Sequence, residues 1–296
     1  MKKIQLIVMG RLEHRALAGA LERAMWGEVA DPPRVTNALP TETNEPASKT
    51  PDGGMRTIML KLVDEVIKLL LGRGVAPVSD DTLLLIVGDM EMYYLDRPHE
   101  LMNGFGEVMN ERLATLSDAD QTFVRGALSE RCSYHLFRPM VEALFFGDPQ
   151  ALSGAGVAAK HPPLLKRQDV EEFESVDPLF LIECQRENRF QYDHGATWWR
   201  HERHPKGYLT HLARRPGSLG YNEAHRGAIA LRGLCWGTVI GTQPSPFLRA
   251  LFEDLADWLG LPSPLGPPDL ALPPPPTALG SAPDRLLRNL TAPLGG

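Results

Sequence analysis

The chain has 296 residues, 43% hydrophobic and 23% charged, enough to bury one large core or two small ones. Its 31 Lys and Arg against 37 Asp and Glu give a net charge of −6, which excludes a generally basic, histone-like nucleic-acid binder but not a local basic groove. The three cysteines, Cys132, Cys184 and Cys235, are far apart and form no CxxC pair. That argues against a zinc ribbon or a disulfide scaffold and for a reducing, cytoplasmic setting.

In chain order, the β-branched run at 4–9 predicts a strand, closed by Gly10 and followed by a helix over 12–26. The run is too short for a signal peptide, and no later apolar stretch reaches the length of about 18 residues that a membrane span needs. Residues 27–54 read as a loop with a weak strand near 34–38, and 57–71 as an amphipathic helix closed by Gly72 and Gly74. Residues 83–87 are apolar throughout, the pattern of a strand buried on both faces of a parallel sheet. Helical patterns follow over 99–113 and 118–128, then a strand over 132–137 and a helix start over 140–146. Strands alternating with helices predict an α/β fold with a parallel sheet. Residues 149–178 look loop-rich, 221–231 and 247–259 helical, and the chain from 261 onward is too rich in proline to continue a helix or sheet.

In an open parallel sheet, functional groups gather beyond the carboxyl ends of the strands. Two predicted strand ends carry acids: Glu13 follows the first, and Asp89 and Glu91 follow the strand at 83–87. Carboxylates at i and i+2 past a buried strand can turn toward one volume and offer hard oxygens to Mg²⁺. They can equally cap the next segment or stay solvated.

Residues 186–215 concentrate Arg186, Arg189, Arg200, Arg203, Lys206, Arg214 and Arg215 around Trp198 and Trp199. Cations for phosphates and aromatics for base stacking are what a nucleic-acid groove needs, and Arg200, Arg203, Lys206 and Trp198 are the residues selected for that role. Lys206 is also placed to neutralise charge developing on a phosphate. The alternative is a solvated loop anchored by its tryptophans. His194, His201, His204 and His211 share this stretch without zinc spacing and read as hydrogen-bonding partners. Cys132 and His135 would point to opposite faces of their strand, so they form no nucleophilic pair.

Four segments in order resemble Toprim-like proteins, in particular OLD-type nucleases and an uncharacterised ATPase-associated family of phage-defence loci. They are Leu6-Ile-Val-Met-Gly-Arg-Leu-Glu13, Leu84-Leu-Ile-Val-Gly-Asp-Met-Glu91, Met140-Val-Glu-Ala-Leu-Phe-Phe-Gly-Asp-Pro-Gln-Ala-Leu152, and His204-Pro-Lys-Gly-Tyr-Leu209 with Tyr221-x-Glu223. The resemblance implies a Toprim-like core with a mostly parallel four-stranded sheet flanked by helices, over 1–150. An irregular and helical region over 151–260 packs on it, and a Pro-rich extended tail follows over 261–296. It further implies Mg²⁺-dependent cleavage of nucleic acid, with a partner ATPase in bacterial antiphage defence. On that pattern Glu13, Asp89 and Glu91 take metal and catalytic positions, Glu142 and Asp148 take the later acidic metal positions, and Lys206 joins the catalytic set. Two residues depart from the pattern. Met9 stands where the first glutamate of the family is expected, and a thioether is no ligand for Mg²⁺. Glu91 stands where aspartate is usual. A catalytically degenerate module that binds a partner or nucleic acid without cutting is therefore the alternative expectation. A protein-only scaffold is what remains if 186–215 forms no basic surface.

Overall fold

The computed structural model describes residues 2–26, 35–40, 53–96, 98–192, 201–241 and 245–262. The first part alternates as the sequence predicts: β1 (Lys3–Val8), α1 (Arg11–Trp26), β2 (Val35–Pro40), α2 (Gly53–Leu71), β3 (Thr82–Asp89), the short α3 (Glu91–Tyr94), α4 (Pro98–Leu113), α5 (Asp118–Arg131) and β4 (Cys132–Phe137). Local chemistry sets the boundaries. Gly72 closes α2 at φ +69, where a side chain would also run into Pro77. Ser117 opens α5 by accepting the Asp120 N–H at 3.2 Å.

The second part is more helical than its composition suggests. A 3-10 turn at Val141–Gly147 leads into α6 (Pro149–Gly154), and a second one lies at Val170–Glu172. The stretch noted only for its charge holds much of α7 (Pro178–Tyr192) and all of α8 (Pro205–Ala213). The helix expected over 221–231 is instead a π turn, Glu223–Gly227, running into α9 (Ala228–Gly233), and α10 (Trp236–Ile240) and α11 (Pro246–Leu259) complete the described chain. Most of the proline-rich segment, from 263 on, lies outside the described residues.

The protein is a mixed α/β structure built on an open parallel sheet. β3 lies between β1 and β4 in unbroken register, with Leu6 opposite Leu85 and Val87 opposite His135, while β2 pairs less regularly along the outer edge of β1, giving the order β2-β1-β3-β4. Leu83 to Val87 are 0% exposed. At about 1.5–3 kcal/mol for each large apolar side chain removed from water, this strand is the strongest single contributor to the sheet. Alternation divides the core. Leu6, Val8, Leu85, Val87 and Phe137 pack under α1, α8, α9 and α11, whereas Ile7, Leu84, Ile86, Tyr134 and Leu136 pack under α2, α4 and α5. Cys132 lies on the second face and His135 on the first, where it meets α11, so the two do point apart.

α11 is fixed at three places along its length. At its start, buried Glu171 accepts the N–H of Phe247 at 3.1 Å and of Leu248 at 2.7 Å, and Asp169 accepts from the Ser245 hydroxyl at 2.9 Å. Midway, Asp254 is bonded to Ser133 and lies 3.1 Å from His135 Nε2 on β4. Near its end, the Trp258 indole donates to the Lys3 carbonyl at 3.1 Å. Ser133, His135 and Asp254 are all at most 1% exposed, so this Ser, His and Asp group is a buried polar tie with no access for a substrate.

The chain leaves β1 toward β2 on one side and returns past it to β3 on the other. The switch point between the carboxyl ends of β1 and β3 is where sheets of this kind hold their ligands.

Candidate functional site

Both sides of that switch point carry an acid. After β1, Gly10 acts as the cap of α1, with its carbonyl accepting the His14 N–H at 3.2 Å, and Glu13 falls in the first turn. The Glu13 carboxyl folds back over the glycine, so that a Cβ added to Gly10 would come 2.0 Å from Glu13 Oε2. Glu13 is 2% exposed. Burial, reinforced by the charges of Glu142 and Glu223, pushes its pKa up to about 8 against the opposing pull of its own backbone N–H and Lys206.

After β3, Asp89 Oδ1 accepts the Val141 N–H at 2.8 Å. This bond ties the end of β3 to the turn that carries Glu142. Glu142 is 2% exposed, and its Oε1 accepts from the Tyr221 hydroxyl at 3.1 Å. Burial raises its pKa too, with Lys206 opposing and Glu223 adding to the rise.

The cation comes from α8. His204 caps that helix, its Nδ1 accepting the Gly207 N–H at 2.9 Å, and Pro205 fills the first turn. His-Pro-Lys-Gly is thus a helix start, and it delivers Lys206 to the acids. Lys206 Nζ lies 2.5 Å from Glu223 Oε2 and 3.6 Å from Glu142 Oε1. Burial works against its charge, but Glu142, Glu223 and Asp89 raise its pKa and hold it protonated. Glu223 is set by a second cap, Asn222, whose Oδ1 accepts the His225 N–H at 3.0 Å. One ammonium therefore faces Glu13, Asp89, Glu142 and Glu223.

Glu13, Asp89, Glu142 and Lys206 are brought into one electrostatic group, together with Tyr221 and Glu223, which the sequence reading quoted in a motif without assigning them a role. Gly10 was likewise overlooked as the floor under Glu13. Asp148 does not join. Its Oδ1 caps α6 through the Gln150 N–H at 2.8 Å and its Oδ2 accepts the Cys235 N–H at 2.9 Å, so backbone donors take both oxygens. Glu91 is placed by its backbone at the first residue of α3. Trp198 and Arg200 lie outside the described residues. Met9 packs across to β3, against Gly88, and its Sδ accepts from the Tyr134 hydroxyl at 3.8 Å, so a thioether occupies the position expected for a glutamate.

The expected set of Glu13, Asp89, Glu91, Glu142 and Asp148 is not assembled as a cage. Among the described residues no group of three or more His, Cys, Asp or Glu is arranged to hold a metal ion. The described members of the basic run are largely paired with acids rather than spread as a bare surface. Arg203 Nη1 lies 3.0 Å from both Asp96 oxygens, Arg215 lies 2.6 Å from Asp177, and Arg214 lies 3.7 Å from Glu183. His201 and His204 accept backbone N–H groups, as Arg203 and Gly207 donate to them.

A cavity of about 650 Å³ lies elsewhere, lined by Phe146, Gly147, Lys166, Arg167, Thr238 and Gly241 among others, with Lys166 and Arg167 turned to Glu174 and Glu172. No family model matches the chain, and neither a curated protein nor a solved structure resembles it detectably.

Proposed function

We propose that the acids beyond β1 and β3, with Lys206, form a phosphodiester-processing centre that works with Mg²⁺ on nucleic acid, in the manner of a Toprim-like nuclease. The observation that carries this reading is the imbalance of charge at the switch point. Glu13 and Glu142 are buried beside Glu223 and Asp89, and among the described residues the Lys206 ammonium acts on them as the opposing charge. The donors fit the ion in kind, being hard oxygens. Mg²⁺ is commonly bound through one or two carboxylates while keeping several waters, so a cage of three is not required. Glu13, Asp89 and Glu142 are the residues that would hold it, and when bound it supplies Lewis-acid polarisation of a phosphoryl oxygen.

The chain's own groups supply the remainder. Lys206 neutralises charge on the phosphate. On the same resemblance we assign the protein to a defence setting beside a partner ATPase. Titration of the full chain with Mg²⁺ or Mn²⁺, followed by cleavage assays on DNA and RNA, tests the reading. Asp89→Asn should abolish metal binding and cleavage while leaving the melting temperature within a few degrees. Absence of metal binding by the wild-type chain overturns it.

A second reading has its own observation. Met9 fills the space over Gly88 where a further acid is expected, which favours a module that binds nucleic acid or a partner without cutting. Nucleic-acid binding that persists in chelator, with no cleavage under any divalent ion, would select it.

A further inference from the structure

We propose that the cleft between the end of α10 and the segment 163–168 binds a small organic phosphate of mononucleotide size, at a site apart from the acids beyond β1 and β3. Its volume, about 650 Å³, suits a small molecule and exceeds what a bare phosphate fills. One wall is held firmly. Leu165 bridges to Ser175 in antiparallel fashion, and the Lys166 N–H donates to the Glu174 carbonyl at 2.9 Å. The loop joining these two short segments is fastened to the start of α11 through Asp169 and Glu171. This wall presents Lys166 and Arg167, and the last turn of α10 presents Thr238 opposite them. At the base, Val239 Cα lies 3.0 Å from where a side chain on Gly147 would begin, so α10 closes directly on that glycine. Phe146 and Val239 make the floor apolar.

Neighbouring cations above an apolar floor suit a molecule with a strongly charged head and a flat or apolar body. A phosphate monoester offers two charges and three terminal oxygens to the ammonium and guanidinium, where a carboxylate offers one charge and two oxygens. The cations can be recruited. Lys166 Nζ lies 2.7 Å from Glu174 and Arg167 Nη1 3.0 Å from Glu172, but the two cationic side chains are 53% and 59% exposed, and ion pairs that open to water hold weakly. Glu172 is also shared. Its Oε2 faces Arg167, and its Oε1 lies 3.4 Å from Arg138 Nη1. When Arg167 turns to a phosphate, Arg138 still offsets Glu172, so the exchange strands no carboxylate.

The test titrates the full chain by calorimetry with adenosine 5′-monophosphate, adenosine and inorganic phosphate. The monophosphate should bind at least about tenfold more tightly than either fragment, because it alone engages both the cations and the floor. Lys166→Met and Arg167→Met each remove a charge-assisted contact and should each weaken that binding about tenfold, leaving the melting temperature unchanged because both side chains are exposed. Glu172→Gln relieves Arg167 of its partner and should strengthen binding. Acylation of Lys166 by an amine-reactive reagent, followed by mass spectrometry, should slow in the presence of the monophosphate, while Lys68 keeps its rate. Absence of binding in the millimolar range overturns the site. So does binding that both cation variants leave unchanged, or that is lost in Lys206→Ala instead, since the phosphate would then sit among the acids. Equal affinity for either fragment overturns the assignment of an organic phosphate.

Discussion

The carboxyl group of Glu13 lies where the side chain of residue 10 would begin, so the glycine at that position is the floor of the acidic centre. Gly10→Ala should push the carboxyl out of its buried seat, and because alanine is a poorer helix cap than glycine it should also cost the fold about 1 kcal/mol. The expected result is at least a tenfold loss of Mn²⁺ affinity with a change of only a few degrees in melting temperature. Unchanged affinity would show that the Glu13 carboxyl is dispensable.

A different buried acid predicts how stability varies with pH. Glu171 caps α11 through two backbone N–H groups, yet burial, with Asp169 adding to it, pushes its pKa up to about 8. A carboxyl raised in the folded state contributes stability in full below its unfolded value near 4.5, and loses that contribution as pH rises through 8. The melting temperature should therefore fall as pH rises from about 4.5 to about 8 and level off above that. In Glu171→Gln this part of the fall should vanish, from a lower starting point, since an amide nitrogen cannot accept the second N–H. An equally steep fall in the variant would refute the assignment.

Asp254 is the structural counterpart of the acids at the site. Asp254→Ala leaves Ser133 and His135 without their partner inside the core, and leaving a buried polar group unsatisfied costs about 1–3 kcal/mol. His135 Nδ1 already has no hydrogen-bond partner among the described residues, so the ring has little with which to compensate. Chemical denaturation should register the loss, and Mn²⁺ affinity measured below the midpoint should be unchanged.

Arg203 offers a test of nucleic-acid binding. Its partner Asp96 is 74% exposed, and an ion pair so open to water is worth about 0–1 kcal/mol, so a phosphate can compete for the guanidinium. Arg203→Ala should reduce the slope of log affinity against log salt by about one. Asp96→Ala should strengthen binding at low salt. If neither change alters the salt dependence, Arg203 contacts no phosphate.

The sheet was legible because burial on both faces leaves a plain mark: only apolar residues suit 83–87, and the acids that follow mark where the strand ends. Glu13 and Asp89 stood out because each follows a predicted strand end, and Lys206 because it belongs to the basic run at 186–215. Tyr221 and Glu223 were harder to read, because their role depends on a π turn that brings them back to a turn far earlier in the chain. Asp148 was misread because Asp before Pro is both an acidic motif residue and a helix cap, and only the N–H groups of Gln150 and Cys235 distinguish the two. The basic run suggested an open cationic surface, but sequence alone does not show that Asp96, Asp177 and Glu183 fold against it.

The anchoring of α11 also bears on how the chain is made. All the described strands have been synthesised once Phe137 has been added, yet Leu6, Val8, Leu85 and Val87 share their core cluster with Leu248, Phe252 and Leu255. At ordinary elongation rates of about 5–20 residues per second, that face waits on the order of ten seconds for its cover. A nascent chain stalled near residue 240 should be readily cut by protease and should bind chaperones that recognise bare apolar strands, whereas one extended until α11 has cleared the ribosome tunnel should resist. The emergence of α11 thus sets the moment at which the first strand becomes safe.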